Sequence, residues 1–215
     1  MSETSPGTVA LSTPRGTSRL RCVSLDGIEI RRTSVETLRL AAIRDGDNIT
    51  EAEAHRLIDE AEPEAGMNRA LRLLGHRERS TAELESRLSD DGYPESVIAA
   101  LLSRLADFGY LDDARFAEGY VRAKRSAGWG RRRISCGLAE KGIEPELAAS
   151  TLDAHTPDAE EVDRALAAIA QLDLATRHGV SRALRRLVSR GYSYETARAA
   201  VNRARKQPGE QGECL

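Results

Sequence analysis

LSDDGYPESVIAALL at residues 88–102, LAEKGIEPELAASTL at 138–152 and LVSRGYSYETARAAV at 187–201 are three versions of one phrase. Leu88, Leu138 and Leu187 each stand four residues before a glycine, Gly92, Gly142 or Gly191, and these glycines are 50 and 49 residues apart. Directly after each comes Tyr93, Ile143 or Tyr192, and ten residues after it Leu102, Leu152 or Val201. Such a glycine suits the residue just past a helix end, where the backbone turns left-handed and the next apolar side chain folds back on the last turn. Pro94 and Pro145 then suit the start of the following helix.

Working outward, each glycine is preceded by an earlier apolar stripe at helical spacing. These are Ala70, Leu71, Leu73 and Leu74; then Phe116, Ala117, Tyr120 and Val121; then Ala165, Leu166, Ile169 and Ala170. Each unit therefore has three helices, and the units span about 63–110, 111–155 and 156–206. One such unit buries little apolar surface alone, so the expected fold is all-α, with three tandem three-helix repeats stacked into an elongated, curved array.

A small extension should precede the repeats. Val23-Ser24-Leu25 alternates into Asp26-Gly27 and Ile28-Glu29-Ile30 alternates out, the pattern of a two-residue type I′ hairpin. Thr50 and Glu53 form a capping box, after which Ala54, Leu57, Ile58 and Ala61 recur until Pro63, predicting an acidic helix that stops there. Residues 1–19, rich in Ser, Thr, Gly and Pro, read as a disordered lead, 20–62 as the extension, and 207–215 as a flexible tail.

Charged residues make up 31% of the chain and aromatics 4%, and a net charge of −2 argues against an all-over cationic coat. The balance is uneven along the chain. Residues 45–64 carry eight carboxylates against Arg56, while 177–206 carry nine Arg or Lys against Glu195. Cys22, Cys136 and Cys214 form no C-x-x-C pair, which suits neither a disulfide framework nor a zinc site and points to a reducing cytoplasm. No apolar run reaches the ~18 residues of a membrane span.

Catalytic patterns are sparse, so binding without catalysis, metal or cofactor is the expectation. His55, His76, His155 and His178 are scattered, and Glu51, His55 and Asp59 share a helix face, where ion pairing competes with metal ligation. Asp90-Asp91 and Asp112-Asp113 lie at helix boundaries, where capping competes with a nuclease role.

The basic residues are the binding candidates. Arg182, Arg185, Arg186 and Arg190 fall on one side of a helix, opposite Leu184, Leu187 and Val188. In the second unit Arg122, Lys124 and Arg125 end one helix, Gly128-Trp129-Gly130 follows, Arg131, Arg132 and Arg133 open the next, and Lys141 stands at its end. Trp129 either stacks on a base or a partner side chain, or packs into the repeat interface. The flanking cations either grip phosphates or carboxylates, or form a solvated face, and Arg131 lies near the core side carrying Ile134 and Leu138.

ALRLLGHRERSTAELESRL (70–88), LADFGYLDDARFAEGYV (105–121) and GWGRRRISCGLAEKGI (128–143) resemble the RecX family of recombination regulators, and the resemblance covers about Gly66 to Arg205. The third unit departs from it, with HGVSRAL where the second has WGRRRISCGL. The resemblance implies a monomer of tandem three-helix repeats acting in DNA repair, homologous recombination and the SOS response. Its partners would be the RecA recombinase and the RecA filament on single-stranded DNA, with direct contact to the DNA strand as an additional possibility. Its effect would be to inhibit filament extension, ATP hydrolysis and strand exchange. A free-standing helical DNA-binding module, with an arginine-rich helix in a groove, is the alternative, and a metal-dependent nuclease ranks last.

Overall fold

The computed structural model describes residues 5–16, 19–155 and 158–206. The chain divides into two compact units, Met1–Asp112 and Asp113–Leu215. The first contains β1 (Gly7–Ser12), β2 (Leu20–Leu25), β3 (Ile28–Ser34), α1 (Val35–Leu40), β4 (Asn48–Ile49), α2 (Glu51–His76), α3 (Thr81–Asp90) and α4 (Glu95–Asp107). The second contains α5 (Asp113–Ser126), α6 (Arg131–Glu140), α7 (Pro145–His155), α8 (Asp158–Ile169), α9 (Arg177–Ser189) and α10 (Tyr194–Lys206). The described chain is thus mostly helical, with three-helix groups α2–α4, α5–α7 and α8–α10. The tail from Gln207, with Cys214, lies outside the described residues.

The glycine anchors behave as their spacing predicts. Gly92, Gly142 and Gly191 have φ of 83°, 70° and 87°, values that side chains with a Cβ resist. In each turn the glycine amide donates to the carbonyl three residues back, and the next amide reaches the anchor leucine: Tyr93 N to Leu88 O, Ile143 N to Leu138 O, and Tyr192 N to Leu187 O, at 3.1–3.2 Å. The three leucines are fully buried and Tyr93, Ile143 and Tyr192 nearly so, each in its own apolar cluster. Leu152 and Val201 join those clusters as core residues, whereas Leu102 only flanks its cluster because Leu101 takes the inner position.

The hairpin forms as the turn residues require. Asp26 and Gly27 both have positive φ, and Leu25 pairs with Ile28 across the turn. It belongs to a larger antiparallel sheet of order β3-β2-β1-β4. β1 lies within the stretch expected to be disordered. Val9 is its one deeply buried apolar residue, and the strand is held by pairing with β2, a contact across many residues that local pattern does not announce.

Pro63 does not end the acidic helix. α2 runs on through it to His76, starting from the expected cap, Glu53 N to Thr50 Oγ1 at 3.2 Å. Proline costs a helix interior ~3 kcal/mol, but here burial on the opposite face offsets that cost. Pro63 is exposed, while Ala61, Glu62, Ala65 and Gly66 are buried around it. One helix therefore serves both the sheet, through Ile58, and the first three-helix group, through Ala65, Ala70 and Leu73. The extension and the first repeat share it and form one unit.

Glu62, 1% exposed, joins sheet to helix: Arg31 Nη2 donates to it at 3.0 Å and Thr33 Oγ1 at 3.3 Å. Burial raises its pKa, outweighing the nearby Arg31 guanidinium. A carboxyl with a raised folded-state pKa holds more protons folded than unfolded, so its contribution to stability falls as pH rises from ~4.5 through that raised value. Glu62→Gln should therefore gain stability relative to the parent across that window, measured as urea midpoints at successive pH values. A difference that shrinks with rising pH would show that the Arg31 pair dominates.

Candidate functional site

In unit 113–215 the cationic residues flagged by the sequence separate into two groups. The first group fastens the second three-helix group to the third. α6 starts at Gly130 with no side-chain cap, and its first amides are satisfied from the third group instead. Gly130 N donates to Arg190 O at 2.8 Å, Arg132 N to Gly191 O at 3.1 Å, and Arg131 N to Glu161 Oε1 at 3.2 Å. Glu161, 8% exposed, also accepts from Thr196 Oγ1 at 3.4 Å.

The side chains of this group are committed as well. Arg131 pairs with Asp153 and Arg125 with Glu160. Arg133 Nη1 donates to Ser189 O at 3.2 Å. Arg190 is half-buried, its Nη1 2.7 Å from where a Cβ on Gly128 would stand. Lys141 is half-buried at the α6 C-cap.

Trp129 follows Gly128 in the same kind of turn as the repeat anchors, with its amide donating to Lys124 O at 3.0 Å. The ring packs half-buried against the second core, the Lys124 Nζ lies 4.5 Å from its centroid and the Arg133 guanidinium carbon 4.1 Å. The same Lys124 Nζ lies 5.2 Å from the Tyr120 ring. Arg164 locks the turn from α8, donating to Trp129 O at 2.8 Å, and burial lowers its pKa. The ring thus packs at the joint of the second and third groups and stays partly exposed.

The second group faces outward. Arg182, Arg185 and Arg186 are exposed along α9, and Arg122 and Arg132 are exposed on α5 and α6; among the described residues none of the five makes an ion pair. α9 buries Ala183 and Leu187 on its other side, with Leu184 half-buried. Val188, expected on that core side, is 49% exposed, since the buried stripe runs Ala183-Leu187 and turns away from it.

Asp91, Asp59 and Glu51 are engaged by basic side chains. Asp91 is buried and takes Arg69 at 2.5 Å and Arg19 at 3.4 Å. Asp59 turns to Arg31 at 2.6 Å while Glu51 lies 3.7 Å from His55, so the Glu51-His55-Asp59 face is an ion-paired surface. Glu160, Glu161 and Arg164 escaped the sequence reading. Their only local signal is a Glu-Glu pair near the start of α8, and their partners lie 30 or more residues away.

No helix among the described residues is long and apolar enough to cross a membrane. Residues 67–105 match the family model for the first three-helix domain of RecX, and 112–152 that for the second. A regulatory protein RecX from Chromohalobacter salexigens is 40% identical over 138 residues, spanning 63% of this chain and 90% of that protein. The regulatory protein RecX of Caldanaerobacter subterraneus subsp. tengcongensis is 24% identical over 180 residues, spanning 84% of this chain and 91% of that protein.

Among solved structures, RecX from Lactobacillus salivarius aligns with a TM-score of 0.62 at 24% identity, covering 68% of this chain and 98% of its own. A second structure, of a regulatory protein RecX, aligns at 0.60 and 17% identity, covering 94% of this chain and all of its own. Both share the fold. With three glycine-anchored helical groups, and a relative matched over nine-tenths of its length, the chain belongs to the RecX family.

Proposed function

We propose that this chain binds the RecA recombinase and its filament on single-stranded DNA, and so limits filament extension, ATP hydrolysis and strand exchange during recombination and DNA repair. It acts in the cytoplasm by occupancy, with no catalysis of its own. The observation that carries this reading is the row of outward guanidiniums on α9, Arg182, Arg185 and Arg186, in a member of the RecX family. A filament of protein and nucleic acid offers both carboxylates and phosphates to such a row, and several weak contacts on one folded unit add as a multivalent ligand.

The direct test measures DNA-dependent ATP hydrolysis by RecA while this protein is titrated in. Hydrolysis should fall at substoichiometric protein, and inhibition should weaken with added salt. Undiminished hydrolysis at a stoichiometric excess would overturn the proposal. Tight, sequence-selective binding to duplex DNA without RecA would replace it with a free-standing DNA-binding role.

A further inference from the structure

α6 and α7 leave an apolar groove of about 650 Å³ open between them. Its floor is formed by Ile143, Ala148 and Leu152 of the second core, and its walls by short side chains, Cys136 and Ala139 from α6 and Ala149 from α7. Side chains this short leave the floor uncovered, where larger apolar ones would cap it. Arg131 pairs with Asp153, so the start of α6 lies against the end of α7. From there the groove runs along the helix pair to Ala139, roughly 10 Å at the rise of a helix. Among the described residues its charged lining is Arg131 and Arg132, with no carboxylate. Arg131 is engaged by Asp153, which leaves the exposed Arg132 guanidinium at the mouth without an ion pair.

We propose that this groove receives a segment of the RecA subunit that carries a large apolar side chain and, within a helical turn of it, a carboxylate. The apolar side chain covers the floor, and the carboxylate takes the Arg132 guanidinium in a charge-assisted pair. An amphipathic helix laid along the groove matches its length, and the volume lies within the range of pockets that enclose a ligand. A nucleic-acid strand does not match it, because the lining holds no aromatic ring for a base to stack on and only one unpaired cation for a phosphate. The inference rests on the RecA reading and adds to it a contact with an apolar centre, on α6 and α7 rather than on α9.

Cys136 is exposed on the groove wall and Cys22 is buried, so in full-length protein carrying Cys214→Ser the rate of reaction with N-ethylmaleimide, followed by mass spectrometry, reports on the groove. RecA filaments on single-stranded DNA are added to saturation, with the DNA alone as comparison. Slowing of Cys136 labelling by about tenfold or more with filaments, and none with DNA alone, supports the groove. Ala149→Trp, which fills the groove from its exposed wall, should lower affinity for filaments about tenfold or more in cosedimentation, and Arg132→Glu should lower it as well. Undiminished labelling by a protein that still inhibits RecA hydrolysis overturns the groove and leaves the RecA reading standing. Equal filament affinity in an Ala149→Trp variant of native helicity and unfolding midpoint does the same. Protection by DNA alone, or protection that rises with the protein's own concentration, overturns it in favour of a nucleic-acid strand or a second copy. A parent protein that neither binds filaments nor lowers their hydrolysis overturns the RecA reading and this inference with it.

Discussion

Gly130→Val should uncouple the second and third three-helix groups and destabilise residues 113–215 by about 3 kcal/mol, the upper end for overpacking a closed contact. A Cβ at Gly130 would stand 2.5 Å from the Gly191 carbonyl carbon and 2.6 Å from its oxygen. These are backbone atoms that cannot rotate aside. Gly191 is itself held at φ 87°, with its own missing Cβ facing Arg133, so neither side of the contact can yield locally. Separation would also remove the acceptors of the Gly130, Arg131 and Arg132 amides, leaving the start of α6 without its caps.

Trp129, the only tryptophan, sits in that joint and reports on it. Urea unfolding followed by its fluorescence should show an early transition in Gly130→Val. Gly75→Ala, where an added Cβ meets nothing within 4 Å, should be neutral or stabilising. Equal midpoints for the parent and Gly130→Val would refute the close-contact account.

Arg182→Glu, Arg185→Glu and Arg186→Glu combined should lower apparent affinity for the RecA filament on the order of 100-fold at ~0.1 M salt and flatten its salt dependence. The effect is electrostatic because the substitutions lie opposite the Ala183 and Leu187 stripe, and Arg185 Nε contributes only a 3.4 Å bond to Ser181 O within the same helix. Helicity and unfolding midpoint should therefore stay near those of the parent. Arg190 is left out of the variant since it packs against Gly128 and its carbonyl caps α6. Unchanged inhibition by the triple variant would remove the α9 face from the binding surface.

The repeat was legible in the chain because it is written in local chemistry. A left-handed glycine, a leucine four residues before it and an apolar residue after it suffice to define each helix end, and their bonds span only three to five residues. The same is true of the Asp26-Gly27 turn and the Thr50 cap. β1 and the passage of α2 through Pro63 were not legible, for the opposite reason. The strand depends on β2 for its bonds, and the proline is tolerated because residues distant in sequence bury the other side of its helix.

The cationic candidates divide along the same line. Spacing alone placed Arg182, Arg185, Arg186 and Arg190 on one face, since azimuth around a helix follows from residue number, and the first three are exposed there while Arg190 is half-buried. It set Arg131 apart by its place near Ile134 and Leu138, but could not distinguish Arg132, which makes no ion pair, from Arg133, which donates to Ser189 O and lies over the Trp129 ring. Whether a charge is left for a partner depends on which carboxylates, carbonyls and rings folding brings within a few ångströms of it. Glu160, Glu161 and Ser189 reach that joint from the third helical group, and Asp91 and Glu36 draw on Arg69 and Arg72 of α2 and on Arg19, just before β2, in the first unit. Helix ends and helix faces are properties of short stretches of chain and belong to the sequence, whereas the inventory of unspent charge is settled by long-range packing and belongs to the tertiary structure.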